Sequence, residues 1–363
     1  MVSVSFRILL LLALTVVACA CAASATPTND AAATSVDASA DSTAVAVATY
    51  KPFDQANADP YLQRVFAYEQ IKGIVGATVL SSGQFGGDCS KYSPTATTAS
   101  DPSKLASLYV ESATLQTSVL KRKDKHADNG GADLGKAIDA QICASLAAGA
   151  TTTAAADAIG GVQWHGQLIV KGLLHYFYAA WYGYLASGNR KDWDEAMAAW
   201  GKSFDGKVDS GLAALAAKRD AQCGTQLGKD IWSKLLSGRA ILADALTKEG
   251  KAGNADTLAT LPTELKALQT AVDGQLQQVF ALSLGHELVQ IQAGTAVAVK
   301  LAEARAFWRI LKPRVAAFDK AKGTQHLIIL DLVEQDDPSK IKPSEGLAAI
   351  QAVWGVDVAA ACK

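Results

Sequence analysis

The hydrophobic residues of this chain recur mostly every three or four positions, which is the spacing of an α-helix. The pattern runs from Leu134 nearly to the end of the chain and is broken mainly at glycines, as at Gly188-Asn189 and Gly201. An earlier helix is expected to open at Asp59-Pro60, since Asp caps helices and Pro is tolerated in their first turn. Alternating patterns typical of β-strands are scarce. The sequence therefore predicts an all-α fold, a helical bundle.

The N-terminal residues differ in composition from the rest. Arg7, the apolar block Ile8–Val17 and the small residues after it indicate a signal peptide at 1–23. Residues 24–51 are rich in Ala, Ser and Thr and contain almost no large apolar side chains, which predicts a disordered leader. Residues 52–363 are then expected to form a single all-helical domain.

The cysteines indicate an exported protein with two disulfides. Two of the six, Cys19 and Cys21, leave with the signal peptide. The other four are Cys89, Cys143, Cys223 and Cys362. Sequence alone does not choose among their three possible connectivities, and we favour Cys89–Cys143 with Cys223–Cys362. A form lipidated at Cys19 stays open, because residues 16–19 resemble a bacterial lipobox.

Charge and hydropathy narrow the class of function. The chain has 34 Lys and Arg residues against 35 Asp and Glu residues, a net charge of -1. It therefore lacks the excess of basic residues with which nucleic-acid-binding proteins neutralise phosphates. No stretch after the signal peptide is long and apolar enough to predict insertion into a membrane.

Two segments of the helical region share one pattern. Glu195–Trp200 and Glu303–Trp308 both read E-A-x-A-x-W, and a histidine precedes each of them, His175 and His286. A histidine on one helix and a glutamate on the next make one helical hairpin. Two copies, at about 160–223 and 275–362, predict an internal pseudo-two-fold repeat of hairpins that face each other.

The usual catalytic motifs are absent. His286-Glu287 begins like the zinc-protease motif H-E-x-x-H, but Gln290 stands where the second histidine is required. The E-x-x-H pairs of di-iron bundles, the G-x-S-x-G of hydrolases and Gly-rich phosphate loops do not occur. We therefore expect a protein that is not an enzyme, although an unfamiliar hydrolase with His286-Glu287 as its base stays a further possibility.

What remains is a set of histidines and carboxylates on helices expected to face each other. The candidate metal ligands are His175, Glu195, His286 and Glu303, supplemented by His165 and Glu287. Imidazole with carboxylate suits ferrous iron, manganese or zinc, whereas carboxylate with tyrosinate suits ferric iron. Four tyrosines near His175 are possible oxygen ligands, namely Tyr176, Tyr178, Tyr182 and Tyr184. In the alternative interpretation these polar groups belong to a core in which each finds a hydrogen-bond partner.

Together these features resemble the algal iron-assimilating, high-carbon-dioxide-inducible periplasmic protein family. The resemblance rests on the signal segment, the Ala/Ser/Thr leader, the aromatic segment from Val162 to Tyr184 and the paired E-A-x-A-x-W elements. It implies a secreted, non-enzymatic protein of the periplasmic space that binds iron, as Fe2+ or Fe3+, and passes it to a plasma-membrane iron uptake system. The alternative is a structural or interaction protein of the cell wall space without a metal site.

Overall fold

The computed structural model describes residues 49–77, 79–92, 101–111, 115–123, 133–254, 256–358 and 362. The chain from Ala46 to Lys363 is one compact unit. The predicted signal peptide at 1–23, with Cys19, and nearly all of the predicted leader at 24–51 lie outside the described residues.

Twelve α-helices and no β-strand occur in the described part of the chain, which confirms the all-α prediction. Their bounds are α1 Gln55–Val75, α2 Leu105–Glu111, α3 Leu115–Leu120, α4 Leu134–Thr151, α5 Val162–Leu185, α6 Arg190–Trp200, α7 Gly211–Cys223, α8 Leu227–Lys248, α9 Thr263–Gln292, α10 Val297–Lys322, α11 His326–Leu330 and α12 Pro343–Trp354. Within these ranges none of the helices is long and apolar enough to cross a bilayer.

Helix α5 lies at the centre of the packing. It contacts α1, α4, α6 and α10 and buries large side chains such as Leu173, Phe177 and Trp181. A helix that is apolar on nearly all sides is stable only when other helices surround it. The few polar side chains of α5, among them Lys171 and Tyr184, are therefore held against fixed neighbours, and both contribute to the sites described below.

Each E-A-x-A-x-W segment lies on the second helix of a packed pair, α5 with α6 and α9 with α10. Beyond the tryptophan the two copies differ. Helix α6 ends at Gly201, whose φ of 88° suits glycine, and a Cβ there would lie 2.3 Å from the carbonyl oxygen of Ser210. Helix α10 instead continues to Lys322. The predicted two-fold repeat is therefore not established by the structure.

Helix α1 begins earlier than the sequence predicts. The Asp54 carboxylate accepts a hydrogen bond of 3.0 Å from the Ala56 amide, so the helix starts at Gln55, and Pro60 lies inside it. Asp54 acts as the N-cap of α1, and Pro60, which has no N–H, leaves the Ala56 carbonyl without its usual helical donor. Tyr50, at the end of the predicted leader, is buried and therefore belongs to the folded domain.

Asp194 on α6 fastens the chain that leads into α1. This fully buried carboxylate accepts hydrogen bonds from the Tyr50 hydroxyl at 2.5 Å and from the amides of Phe53 and Asp54 at 3.0 and 2.9 Å. The side-chain amide of Asn57 donates a fourth bond of 2.9 Å. Several donors thus converge on one carboxylate, which holds α1 against α6.

Replacing Asp194 with Ala is expected to lower the free energy of unfolding by about 3 kcal/mol, because buried donors lose their only charged acceptor. Urea denaturation followed by circular dichroism measures this change. Asp192→Ala serves as the control, since Asp192 lies two residues away and is only partly buried, and its loss is expected to cost about 1 kcal/mol or less. Equal losses in the two variants would contradict the anchoring role of Asp194.

Both favoured disulfides are present. Cys89 pairs with Cys143 on α4, and Cys223 at the end of α7 pairs with Cys362 near the C-terminus. Such bonds persist in oxidising compartments, so the pairing is compatible with an exported protein.

Candidate functional site

The six predicted ligands lie on four helices. His165 and His175 are on α5, Glu195 is on α6, His286 and Glu287 are on α9, and Glu303 is on α10. The structure brings the last three together. Glu303 lies 4.0 Å from Lys171 of α5, whereas Glu195 interacts with Tyr184 of the same helix. Lys171 and Tyr184 are about 20 Å apart along the helix axis at 1.5 Å per residue, so the two glutamates occupy different regions.

Glu287 and Glu303 are the centre of what we call the charge cluster, which also contains Lys171, Arg219 and Lys300. Nη2 of Arg219 lies 3.2 Å from one carboxylate oxygen of Glu287, and Nζ of Lys300 lies 3.0 Å from the other. Nζ of Lys300 also lies 3.6 Å from the Glu303 carboxylate. The side chains of Arg219 and Glu287 are each only 1% exposed, so this is a buried network with more cations than carboxylates.

The surroundings give the two glutamates different acidities. Burial raises the pKa of Glu287, and the neighbouring Glu303 raises it further. Burial acts on Glu303 in the same sense, but Lys171 and Lys300 outweigh it and hold the pKa of Glu303 below its usual value. Of the pair, Glu303 therefore stays ionised to lower pH.

His286 lies at the edge of the charge cluster. Burial, together with the positive charges of Arg219 and Lys300, lowers the pKa of His286 to about 4. Its imidazole is therefore neutral at physiological pH. The same charges would repel a metal cation, so the cluster is poorly suited to hold one even though three predicted ligands meet there.

Both histidines of α5 are partly buried. Burial lowers the pKa of His165, which is half-buried near the start of the helix. His175 is also partly buried and lies one helical turn from Lys171, on the same face of α5. No hydrogen bond or ion pair described for this part of the chain joins His165 to another predicted ligand.

Glu195 opens onto a different cavity, which we call the tyrosine pocket. Its lining includes Tyr184, Asp192 and Glu195 with the cations Arg64, Lys121, Arg122 and Lys191, and its volume is about 300 Å³. Tyr61 on α1 is not among the lining residues, but its hydroxyl shares a hydrogen bond of 2.7 Å with the hydroxyl of Tyr184. Two phenol oxygens and two carboxylates are thus gathered at this end of α5.

Two arginines pack on the phenol rings. The guanidinium carbon of Arg64 lies 4.1 Å from the ring centre of Tyr61, and that of Arg122 lies 4.9 Å from the ring centre of Tyr184. Burial raises the pKa of Tyr184 to about 12, and Arg122 acts in the opposite direction. Burial likewise raises the pKa of Tyr61, against the lowering effect of Arg122 and Arg64. Both phenols are protonated at neutral pH, beside cations that would stabilise their anions.

The carboxylate of Glu195 is itself mostly buried. Burial raises its pKa, while the contact with the Tyr184 hydroxyl and the charge of Lys191, whose Nζ lies 3.7 Å away, favour the ionised form. Glu195 is therefore the predicted ligand whose carboxylate lies beside a phenol oxygen, in a pocket that four cations also line.

Two other tyrosines of α5, Tyr176 and Tyr178, have the hydrogen-bond partners that the structural interpretation predicts. The Tyr176 hydroxyl donates to Ser118 at 2.8 Å, and that of Tyr178 donates to Asp273 at 2.7 Å. Sequence reasoning named Tyr184 among the possible oxygen ligands but missed Tyr61. No pattern in the sequence connects Tyr61 with Tyr184, because they are separated by 123 residues and meet only through the packing of α1 on α5.

Among the residues that the structure describes, no three His, Cys, Asp or Glu side chains lie close enough together to hold a metal ion. The tyrosine pocket offers two carboxylates, Asp192 and Glu195, together with the phenol of Tyr184 and the hydroxyl residues Thr117 and Ser118. Of these, the phenol is the one that can add a third anionic oxygen.

No protein-family model matches the chain, and comparisons with curated proteins and with solved structures find no match either. The family resemblance drawn from the sequence stays a prediction, and the function has to be argued from the sites themselves.

Proposed function

We propose that this is a secreted, non-catalytic protein that captures ferric iron in the tyrosine pocket and assists iron assimilation. The observation that carries the proposal is the meeting of Tyr184 and Glu195 at the cavity wall, with the Tyr61 hydroxyl 2.7 Å from that of Tyr184. Ferric iron is a hard cation that prefers anionic oxygen ligands, and phenolate with carboxylate is a suitable set.

The charges favour iron that arrives with an anion. Four cations line the pocket, and two deprotonated phenols with two carboxylates would balance them. These ligands leave the positive charge of the ferric ion unneutralised. We therefore expect a small oxygen anion, such as the chelator that carried the iron, beside Arg122 and Lys121. These two cations are also the groups available to hold such an anion.

The charge cluster is less suited to iron, because buried or half-buried cations already engage both of its carboxylates. A cation placed between Glu287 and Glu303 would have to displace Lys300 and would remain next to Arg219, which is almost fully buried. Of the residues named from the sequence, Glu195 and Tyr184 are retained in the proposal, and Asp192 and Tyr61 are added. The proposal does not require the remaining predicted ligands, which are His165, His175, His286, Glu287 and Glu303.

Protonation of the phenol ligands would release iron for transfer to a plasma-membrane uptake system. Iron binding must displace the phenol protons, and protonation of Tyr184 and Tyr61 in turn releases iron. A binding protein of this kind needs no catalytic group.

Purified protein titrated with a ferric chelate is expected to develop the visible charge-transfer absorption of ferric tyrosinate, saturating at one ion per chain. Tyr184→Phe should abolish the band, and Glu195→Gln should weaken binding about tenfold or more, because a charged ligand is lost. The matched controls are Tyr178→Phe on the same helix and Glu303→Gln at the equivalent place in the second E-A-x-A-x-W segment.

Both controls are expected to bind iron like the unmodified protein. A band lost in Glu303→Gln but kept in Glu195→Gln would move the site to the charge cluster and overturn the proposal. Absence of saturable iron binding in the unmodified protein would instead favour a structural or interaction protein without a metal site.

A further inference from the structure

We propose that a second cavity of this protein binds a small oxyanion carrying two or more negative charges. The cavity, which we call the anion cleft, lies between α1, α5 and α7 and has a volume of about 170 Å³. Its polar lining consists of Lys72, Gln167, Lys171, Lys218 and Arg219, and Tyr68 also lines it. It shares no lining residue with the tyrosine pocket.

The described lining of the anion cleft contains four cationic side chains and no carboxylate. Lys72, at the rim, is neutralised by Glu69, whose carboxylate lies 2.8 Å from its Nζ. Glu69 also accepts a hydrogen bond of 3.0 Å from the Gly211 amide, so both of its oxygens are occupied. The positive charge that remains comes from Lys171, Lys218 and Arg219.

The carboxylates behind the cleft do not cancel this charge. Glu303 and Glu287 face Lys171 and Arg219, but Lys300 binds the same two carboxylates from the far side. Four cations, counting Lys218, therefore share two carboxylates. The surplus is two positive charges when both glutamates are ionised, and it grows if Glu287, with its raised pKa, takes up a proton.

Of the cations around the anion cleft, Lys218 has the least neutralisation of its positive charge by carboxylates. No Asp or Glu of the described chain lies within ion-pair distance of its Nζ. Lys218 is exposed at its end but partly desolvated along its stem, and this desolvation, with the positive charges of Arg219 and Lys171, lowers its pKa against the opposing effect of Glu303 and Glu287. An anion in the cleft would remove this repulsion, so the charged lysine and the anion would stabilise each other.

Arg219 is prepared to bind such a ligand. Its guanidinium is fixed by hydrogen bonds to Ser283 at 3.0 Å, Gln222 at 2.7 Å and Glu287 at 3.2 Å, and its side chain is 1% exposed. A guanidinium held in place loses little conformational entropy when it binds a carboxylate or phosphate oxygen. The lysines supply further charge from α5 and α7, and the Gln167 amide supplies a neutral donor.

The test uses the full protein without iron, so its result is independent of the proposed ferric site. Inorganic phosphate and citrate are titrated by calorimetry at constant ionic strength, with chloride as the monovalent comparison. Phosphate represents an inorganic oxyanion and citrate an organic one, so the two titrations show which kind of anion the cleft binds. We expect saturable binding of at least one of them and none of chloride. Lys218→Gln, which removes an exposed lysine, should weaken the binding about tenfold.

Lys229→Gln, an exposed lysine on α8, is the matched control and should bind like the unmodified protein. Lys121→Gln reports on the tyrosine pocket, another cationic cavity, and a loss confined to this variant would place the anion beside Lys121 instead of in the anion cleft. The thermal midpoint of each variant without ligand checks that its fold is intact. The proposal is overturned if neither anion binds, if Lys218→Gln binds as tightly as the unmodified protein, or if only Lys121→Gln loses affinity.

Discussion

Replacing Arg219 with Leu is expected to lower the free energy of unfolding by about 3 kcal/mol or more. The variant leaves the Glu287 carboxylate buried, with Lys300 as its remaining cation. Removing one partner of a buried ion pair costs about 3 to 5 kcal/mol, because the other charge stays away from water without compensation. The Ser283 hydroxyl also loses the hydrogen bond that it accepts from Arg219, while it still donates to the Val279 carbonyl. Urea denaturation measures the change directly.

Two further variants show whether burial is the cause. The double variant Arg219→Leu/Glu287→Leu removes both charges and should recover much of the loss. Arg309→Leu removes an arginine whose Nη2 lies 2.8 Å from Glu334 but whose side chain is 34% exposed, and it should cost about 1 kcal/mol or less. A double variant no more stable than Arg219→Leu would mean that the arginine acts through packing and not through the buried carboxylate.

The periodicity of the sequence was sufficient to predict the fold class, because spacing and glycine positions are local signals. The repeated E-A-x-A-x-W pattern selected Glu195 and Glu303, and both are buried glutamates on the second helix of a helix pair. Local signals do not specify which helices lie opposite each residue. Glu195 meets Tyr184 near α1 and α3, whereas Glu303 meets Lys171 and Lys300 near α7. The same hexapeptide therefore lies in two different electrostatic environments.

The residues that decide each site come from distant parts of the chain. Arg219 precedes Glu287 by 68 residues, and Tyr61 precedes Tyr184 by 123. Because the partners are so far apart along the chain, no local pattern in a single sequence indicates that either pair is in contact. The disulfides were easier to predict, because only four cysteines were available and three pairings had to be compared.

The tyrosine pocket also predicts how iron binding depends on pH. With the pKa of Tyr184 at about 12 and that of Tyr61 also raised, both phenols carry protons at neutral pH before iron binds. Each proton displaced by the metal makes the apparent affinity fall about tenfold for every unit by which the pH is lowered. Displacement of both phenol protons therefore predicts about a hundredfold loss per pH unit, and acidification releases iron.

Proton release in weakly buffered solution measures this stoichiometry, with the titration of the ferric chelate alone subtracted. We expect about two protons per ferric ion from the unmodified protein and about one from Tyr61→Phe, because Tyr184 remains as a ligand. Tyr178→Phe, whose hydroxyl is bound to Asp273, should still release about two. The increase in ultraviolet absorbance of tyrosinate should indicate the same number of deprotonated phenols in each variant. Iron that binds without releasing protons would place its ligands among groups already ionised, and the phenols would then have no part in holding it.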